Sequence, residues 1–156
     1  MNGPKTALLL LNFGTPGAPT KEAVRSYLIE VLSDLTLRSL PKLLQQVLIR
    51  SLFVPWRLND TVERYRSTWT EHGSLLSFYS KKLCDALSSE TPSCHTVLAM
   101  KYGTPSIVDT LEPLFPFNHL IVLSLFPIEL NLSRLQAREV QRSLLFVAFG
   151  GKTICI

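Results

Sequence analysis

The chain has 156 residues, of which 46% are hydrophobic and 18% are charged. This length fits one globular domain with a sizeable core, and the composition excludes a mainly disordered chain. Sixteen basic against twelve acidic residues give a net charge of only +4, so we expect no nucleic-acid partner. The three cysteines show no metal-binding spacing, which predicts a soluble protein in a reducing compartment without a bound metal.

The first predicted element is a strand over residues 6–12, whose unbroken apolar run is typical of a parallel sheet covered on both faces. This run is too short for a secretory signal, and no segment of the chain reaches the length of a membrane span. After a loop rich in glycine and proline, Thr20 is placed to cap a helix, which we expect to end at Ser33–Asp34.

Two helices are expected in the next segment. Pro41 suits the first turn of a helix that ends near Phe53, and Pro55 would stop it. Asp60 and Glu63 resemble a capping box that opens a second helix. The favoured interpretation of the first is a buried helix with basic ends. Peripheral contact with a membrane is the alternative, because the segment is apolar, ends in an aromatic residue and carries basic residues.

The last predicted elements complete an α/β pattern. Ser74 would cap a helix whose inner side is formed by apolar residues: Leu75, Leu76, Phe78, Tyr79, Leu83 and Leu87. Thr96–Met100 and Leu120–Phe126 are predicted strands, and Thr104-Pro105 would begin a short helix between them. The element order predicts a doubly wound, mostly parallel sheet with helices on both faces, and ligands bind such sheets at the carboxyl ends of their strands.

Five segments, in order and at the expected spacing, resemble the ferrochelatase family, which inserts ferrous iron into a porphyrin in haem synthesis. They are Leu8–Pro16, Ala23–Asp34, Tyr65–Ser74, Met100–Ile107 and Ile121–Pro127. The most specific is the third, which reads Tyr-Arg-Ser-Thr-Trp-Thr-Glu-His-Gly-Ser. The resemblance implies a lyase that takes porphyrin and ferrous iron as substrates and holds no tightly bound cofactor.

The resemblance also implies roles for individual residues. The positions that match porphyrin-binding positions of the family are Phe13, Arg57, Tyr65 and Ser74. Lys101 and Tyr102 match an Arg-Tyr pair beside the path of the metal. The phenyl ring of Phe13 can pack against a macrocycle but cannot ligate a metal. The three histidines are isolated in predicted turns or loops, match no family histidine, and are expected to be solvated or capping: His72, His95 and His119.

The resemblance ends at Pro127, after which Ile128-Glu129-Leu130 stands where the family has Gln-Tyr-Ser. We therefore predict a ferrochelatase-like domain over residues 1–127 and a divergent tail over 128–156. Family members are considerably longer, and their catalytic histidine and glutamate lie in the second half, so the catalytic residues are unknown here. We expect a truncated ferrochelatase with little or no activity of its own; alternative hypotheses are a non-catalytic porphyrin-binding half-domain and a degenerate gene product.

The apolar segments of the chain also predict its location and its association. We expect a cytoplasmic protein, peripheral to the inner membrane if segment 43–56 contacts lipid. An isolated half of the family fold would leave apolar surface open at strand Leu120–Phe126. The apolar run Leu144–Phe149 could cover that strand or pair with it. We predict a marginally stable fold that self-associates.

Overall fold

The computed structural model describes residues 6–35, 41–114, 116–125 and 153–155. The strands are β1 (Thr6–Gly14), β2 (Trp69–Thr70), β3 (Gly73–Ser74), β4 (Cys94–Tyr102), β5 (His119–Ser124) and β6 (Thr153–Cys155). The helices are α1 (Lys21–Leu35), α2 (Lys42–Leu48), α3 (Val54–Thr68), α4 (Leu75–Glu90) and α5 (Ile107–Leu111). A π-helical segment, Ile49–Phe53, joins α2 to α3, and a 3-10 turn, Glu112–Leu114, follows α5.

The chain divides into two compact units. The sheet unit comprises Met1–Gly14 and Tyr79–Ile156, and the helical unit comprises Thr15–Phe78. In the sheet unit four strands pair in the order β4-β1-β5-β6, and every pairing is parallel. From β1 the chain passes first to β4, on one side of β1, and then to β5, on the other side. The predicted doubly wound α/β class is confirmed, and β1 lies at the point where the winding reverses.

The apolar run of β1 is buried on both faces of the sheet, as predicted. Ala7, Leu9 and Leu11 are at most 1% exposed and belong to a core cluster with residues of β4, α5 and β5. Leu10 points to the opposite face and is also fully buried. Between Ala7 and Leu11 the strand has two parallel neighbours and only apolar side chains, and its first buried polar side chain is Asn12.

The helical unit packs around a second core cluster, formed by Val24, Leu28, Ile49, Val54 and Val62. The predicted cap of α1 is confirmed, because the backbone N–H of Ala23 donates to the Thr20 hydroxyl at 3.3 Å. The predicted end of α1 at Ser33–Asp34 is wrong, since the helix continues to Leu35. The Gln45 side-chain amide donates to the Ser33 carbonyl at 2.7 Å and so satisfies one acceptor of the last turn.

Two predictions about α3 are also wrong. Pro55 does not stop the helix; it lies in the first turn of α3, where its missing N–H costs little, directly after the wider π-helical turn. Asp60 does not open a helix but lies inside α3, where it pairs with Arg64 one turn later at 3.1 Å. Local capping signals were outweighed here by continuous helical packing from α2 through α3.

The helices after the β2–β3 turn begin as capped helices. The Ser74 hydroxyl accepts from the Ser77 N–H at 3.2 Å, which confirms the predicted cap of α4. The cap of α5 is Ser106, which accepts from the Asp109 N–H at 3.2 Å, so the predicted start at Thr104-Pro105 is two residues early. The peptide bond between Thr104 and Pro105 is cis.

The predicted inner side of α4 is wrong. Four of its apolar residues are 40–61% exposed: Leu75, Leu76, Tyr79 and Leu83. The buried residue of α4 is Ser80. Hydrophobic spacing correctly predicts a helix, but it does not establish that the apolar stripe is the side that becomes covered.

The segment 43–56 is amphipathic rather than buried throughout. Ile49 and Val54 are fully buried, whereas Leu43 is 84%, Val47 61% and Trp56 77% exposed. The favoured interpretation of a buried helix is therefore wrong for one face. Among the described helices, none is both long and apolar enough to cross a bilayer.

Strand β5 has a partner on its outer side. Residues 153–155 form β6, in which Ile154 lies opposite Leu120. A C-terminal segment thus pairs with the strand that we expected to be open unless the tail covered it or paired with it. The predicted domain boundary at 127/128 and the predicted role of Leu144–Phe149 lie outside the described residues.

Candidate functional site

The carboxyl ends of β1 and β4 lie side by side in the sheet unit. Asn12 is opposite Met100, and Gly14 is opposite Tyr102 in the parallel register. This is the reversal point of a doubly wound sheet, where ligands bind in this fold class. The strand ends therefore place Phe13, Lys101 and Tyr102, all predicted site residues, at one edge of the sheet.

Asn12 holds the end of β1 through two hydrogen bonds. Its Nδ2 donates to the Ser80 hydroxyl at 2.8 Å, and its Oδ1 accepts from the Phe13 N–H at 2.7 Å. The side chains of Asn12 and Ser80 are both buried, so their hydrogen bond is shielded from competing water. Local sequence does not predict this contact, because the two residues are 68 positions apart. The one available signal is a single polar residue directly after an apolar run.

Gly14 allows the two strand ends to approach closely. Its φ is +102°, and a Cβ at this position would lie 1.8 Å from the Tyr102 carbonyl oxygen. Any side chain would therefore separate β1 from β4 here. The glycine belongs to the geometry of the site rather than to a phosphate-binding loop.

The side chains at this edge form an aromatic pair with a cation. The Phe13 and Tyr102 rings meet edge to face with centroids 4.9 Å apart, and the Lys101 Nζ lies 5.2 Å from the Tyr102 ring centroid. Tyr102 is only 2% exposed, whereas Phe13 is half-buried. The arrangement offers an apolar contact surface with an adjacent positive charge.

The helical unit carries a groove along one face of α3. A cavity of about 770 Å³ is lined by Trp56, Arg57, Asp60, Thr61, Arg64, Tyr65 and Thr68. Two predicted site residues, Arg57 and Tyr65, are thus brought together. The Tyr65 ring meets the rings of Tyr27 and Trp69 edge to face, at 6.2 and 6.4 Å.

Trp56 and Arg64 also line this groove, although neither was a predicted site residue. The signal was available in the spacing, since residues three, four and seven positions apart share a helix face. The Arg57 guanidinium lies 6.0 Å from the Trp56 ring centroid, while Arg64 pairs with Asp60. This groove combines a flat exposed aromatic ring with guanidinium groups, which suits a planar ligand that carries carboxylates.

Ser74 is not among the residues that line the α3 groove. Its side chain is buried, and its hydroxyl caps α4. Its predicted contact with porphyrin stays a prediction.

The remaining candidate ligands lie apart. The His72 ring stacks on Phe78 and the His95 ring on Phe117, each with centroids 5.1 Å apart. Within the described ranges, no three His, Cys, Asp or Glu side chains are grouped to hold a metal ion. Burial, and then the neighbouring Asp85 carboxylate, raise the pKa of the Cys84 thiol, which makes it a poor metal ligand at neutral pH.

The fold defines an α/β protein with a parallel sheet in which the order of the strands reverses at β1. Comparison with known proteins identifies its family. The family model described as Ferrochelatase matches residues 5–145, which continues past the predicted boundary at Pro127. This chain therefore belongs to the ferrochelatase family.

Three curated relatives agree with this assignment, and each bears the name Ferrochelatase. The chain is 40% identical over 129 residues to the protein of Escherichia coli O45:K1. It is 39% identical over the same length to the proteins of Enterobacter sp. strain 638 and Shigella flexneri serotype 5b. Each alignment covers 81% of this chain but only 40% of the relative, so the chain spans two fifths of the length of these proteins.

Proposed function

We propose that this chain provides the porphyrin-binding part of a ferrochelatase, a lyase that inserts ferrous iron into a porphyrin during haem biosynthesis. The family match over residues 5–145 carries the proposal. The reaction replaces two pyrrole protons by Fe²⁺, so it needs a surface for the macrocycle, cations for its propionates and a base. Ferrous iron and porphyrin are both substrates, and no tightly bound cofactor is required.

We assign contacts with the substrates to the residues for which the family resemblance implies them. Phe13 packs against the porphyrin without ligating iron, and Lys101 and Tyr102 lie beside the path of the metal. Arg57 pairs with a propionate, since a guanidinium matches a carboxylate in a bidentate geometry, and Tyr65 supports the groove. Ser74 contacts the porphyrin from the start of α4.

The base and acid of the reaction are not matched by any residue in these 156 positions. We therefore propose that the chain binds porphyrin but turns it over weakly or not at all, and a non-catalytic porphyrin-binding domain is the second candidate. The domain boundary at 127/128 remains part of this proposal.

Binding is tested by titrating the full chain with a porphyrin and following tryptophan fluorescence. Quenching is expected, because Trp56 lines the groove and Trp69 contacts Tyr65. Trp56→Phe and Trp69→Phe report which ring is quenched. An unchanged signal up to high micromolar porphyrin would refute the binding proposal. Turnover is tested separately by incubation with ferrous iron or zinc and porphyrin, with the Soret band as readout and heat-killed protein as control.

We also propose a cytoplasmic location with peripheral contact to the inner membrane. The exposed apolar side chains Leu43, Val47 and Leu52 alternate along the helical segment with basic residues, a pattern that suits an anionic lipid surface. Cosedimentation with anionic vesicles should be lost in a Val47→Gln/Leu52→Gln variant. Val108→Gln is the control, because Val108 is 56% exposed in the sheet unit. Equal cosedimentation of all three proteins would contradict the proposal.

Self-association is the remaining proposed partner interaction. The exposed apolar residues of α4 and β5 support it, because apolar surface of this kind favours association.

A further inference from the structure

We propose that Arg64 is a second carboxylate-binding residue of the α3 groove and that Asp60 lowers its affinity by competing for the guanidinium. This inference rests on the proposed function, because it names the part of the porphyrin that the groove recognises: two carboxylates rather than one. Of the two arginines that line the groove, the family resemblance points only to Arg57, whereas the geometry of α3 adds Arg64.

The two arginines are arranged as a pair on one helix face. They are seven residues apart, which is two turns or roughly 10 Å along the axis of an α-helix. Both side chains line the same cavity, and Asp60 and Thr61 lie between them. A ligand lying along α3 therefore meets one guanidinium towards each end of the groove.

The guanidinium of Arg64 has further N–H donors beside the one that contacts Asp60. It donates to the Asp60 carboxylate through one nitrogen at 3.1 Å, and a guanidinium carries five N–H groups. The two side chains are 81% and 72% exposed, and ion pairs this exposed contribute little stability. A ligand carboxylate can therefore share or replace the Asp60 contact without disturbing the fold.

The other lining groups leave the arginines as the charged donors of the groove. The hydroxyls of Thr61 and Thr68 donate to the backbone carbonyls of Arg57 and Arg64, at 2.7 and 3.0 Å. In the described part of the chain, Arg57 contacts the Trp56 ring and forms no ion pair. Two guanidiniums against one carboxylate leave a positive groove beside a flat aromatic ring, which favours a planar dicarboxylate.

The test compares a porphyrin with two free carboxylates and its dimethyl ester, each titrated into the full chain with tryptophan fluorescence as readout. Arg64→Gln is expected to weaken diacid binding about three- to fivefold, the range of an exposed ion pair, and to leave ester binding unchanged. The difference should shrink at high salt. Arg25→Gln is the matched control, because Arg25 is an exposed cation of the same unit outside the groove.

Asp60→Asn tests the competing carboxylate. It should tighten diacid binding about twofold, again with no effect on the ester, and weaker diacid binding would contradict the competing role. The role of Arg64 would be refuted if the Arg64→Gln variant bound the diacid as tightly as the unsubstituted chain. It would also be refuted if the substitution weakened diacid and ester binding equally. If the unsubstituted chain binds neither porphyrin, the proposed function is refuted and this inference with it.

Discussion

The hydrogen bond between Asn12 and Ser80 is a buried polar contact at the end of the central strand, 2.8 Å long and closed to solvent. We predict that Ser80→Ala lowers the free energy of unfolding by about 1–3 kcal/mol. The reason is that the Asn12 amide would stay buried without this acceptor. Urea unfolding measures the loss.

Ser88→Ala provides the comparison for this prediction. Ser88 is an exposed serine of the same helix, and its hydroxyl donates to the Cys84 carbonyl at 2.9 Å. Its removal should change stability by no more than about 0.5 kcal/mol. Equal losses in both variants would show that Asn12 finds another partner.

Gly14 is fixed by its conformation and by its neighbour on β4. Gly14→Ala should destabilise the protein by about 3 kcal/mol or more. The alanine would have to adopt a positive φ, and its methyl group would overlap the Tyr102 carbonyl. Gly17→Ala is the matched control, because a Cβ there meets no atom within 4 Å. Thermal melts should separate the two variants clearly, and similar melting temperatures would contradict the close approach of the strands.

The Cys84 thiol offers a prediction about pH. Burial and the Asp85 carboxylate raise its pKa above the ordinary value of 9.0, so less thiolate is present at neutral pH than in a flexible peptide. In a variant that keeps Cys84 as its single cysteine, iodoacetamide should react slowly, with a midpoint of the pH–rate curve above 9.0. Asp85→Asn should lower the midpoint only in part, since burial is the larger cause. A midpoint at or below the ordinary value would refute the prediction.

At the scale of the element, the continuous helical segment from α2 to α3 presents one buried and one exposed face. Val62 is 1% exposed within the core of the helical unit, whereas Val47 is 61% exposed. Val62→Ala should cost about 1–3 kcal/mol through lost burial and the cavity left behind, and Val47→Ala should cost little. Chemical unfolding of both variants checks this, and equal effects would show that the outer face is covered in solution.

The elements also show what local sequence could predict. The central strand, the caps at Thr20 and Ser74 and the α/β order followed from short-range patterns, and the structure agrees. The errors at Pro55 and on α4 have different causes. Pro55 follows a π-helical turn and lies in the first turn of α3, whereas the burial of an apolar stripe on α4 depends on which other elements pack against it. An apolar stripe predicts a helix but does not establish which side is covered, and four apolar side chains of α4 are 40–61% exposed.

The candidate site was predictable to a similar degree. The family resemblance named Phe13, Lys101 and Tyr102, and all three lie near the carboxyl ends of parallel strands, which meet at one edge of a sheet. The partnership of Asn12 with Ser80 was not predictable, since it joins a strand to a helix 68 residues away. Helical spacing places Arg64 on the same face of α3 as Arg57. That this face forms a groove depends on the neighbouring side chains, which the spacing does not predict.

At the scale of the molecule, the parallel sheet depends on a C-terminal strand for its outer edge. β6 pairs with β5 through three registered residue pairs, which occupies an edge that would otherwise be open. Two apolar residues of β5, Ile121 and Leu123, are 40% and 46% exposed on one face of that strand. Exposed apolar side chains beside unpaired backbone groups are the usual cause of association between sheets.

We therefore predict that a chain ending at Pro127 scatters more light and melts at a lower temperature than the intact chain. Removing β6 leaves the N–H and C=O groups of β5 unpaired next to Ile121 and Leu123. Adding Ile121→Lys and Leu123→Lys to the shortened chain should reduce the scattering, because charges on an edge strand oppose pairing with another copy. A shortened chain that stays monomeric and melts cooperatively would contradict the role of β6. A sharp, cooperatively melting monomer for the intact chain would refute the proposed self-association.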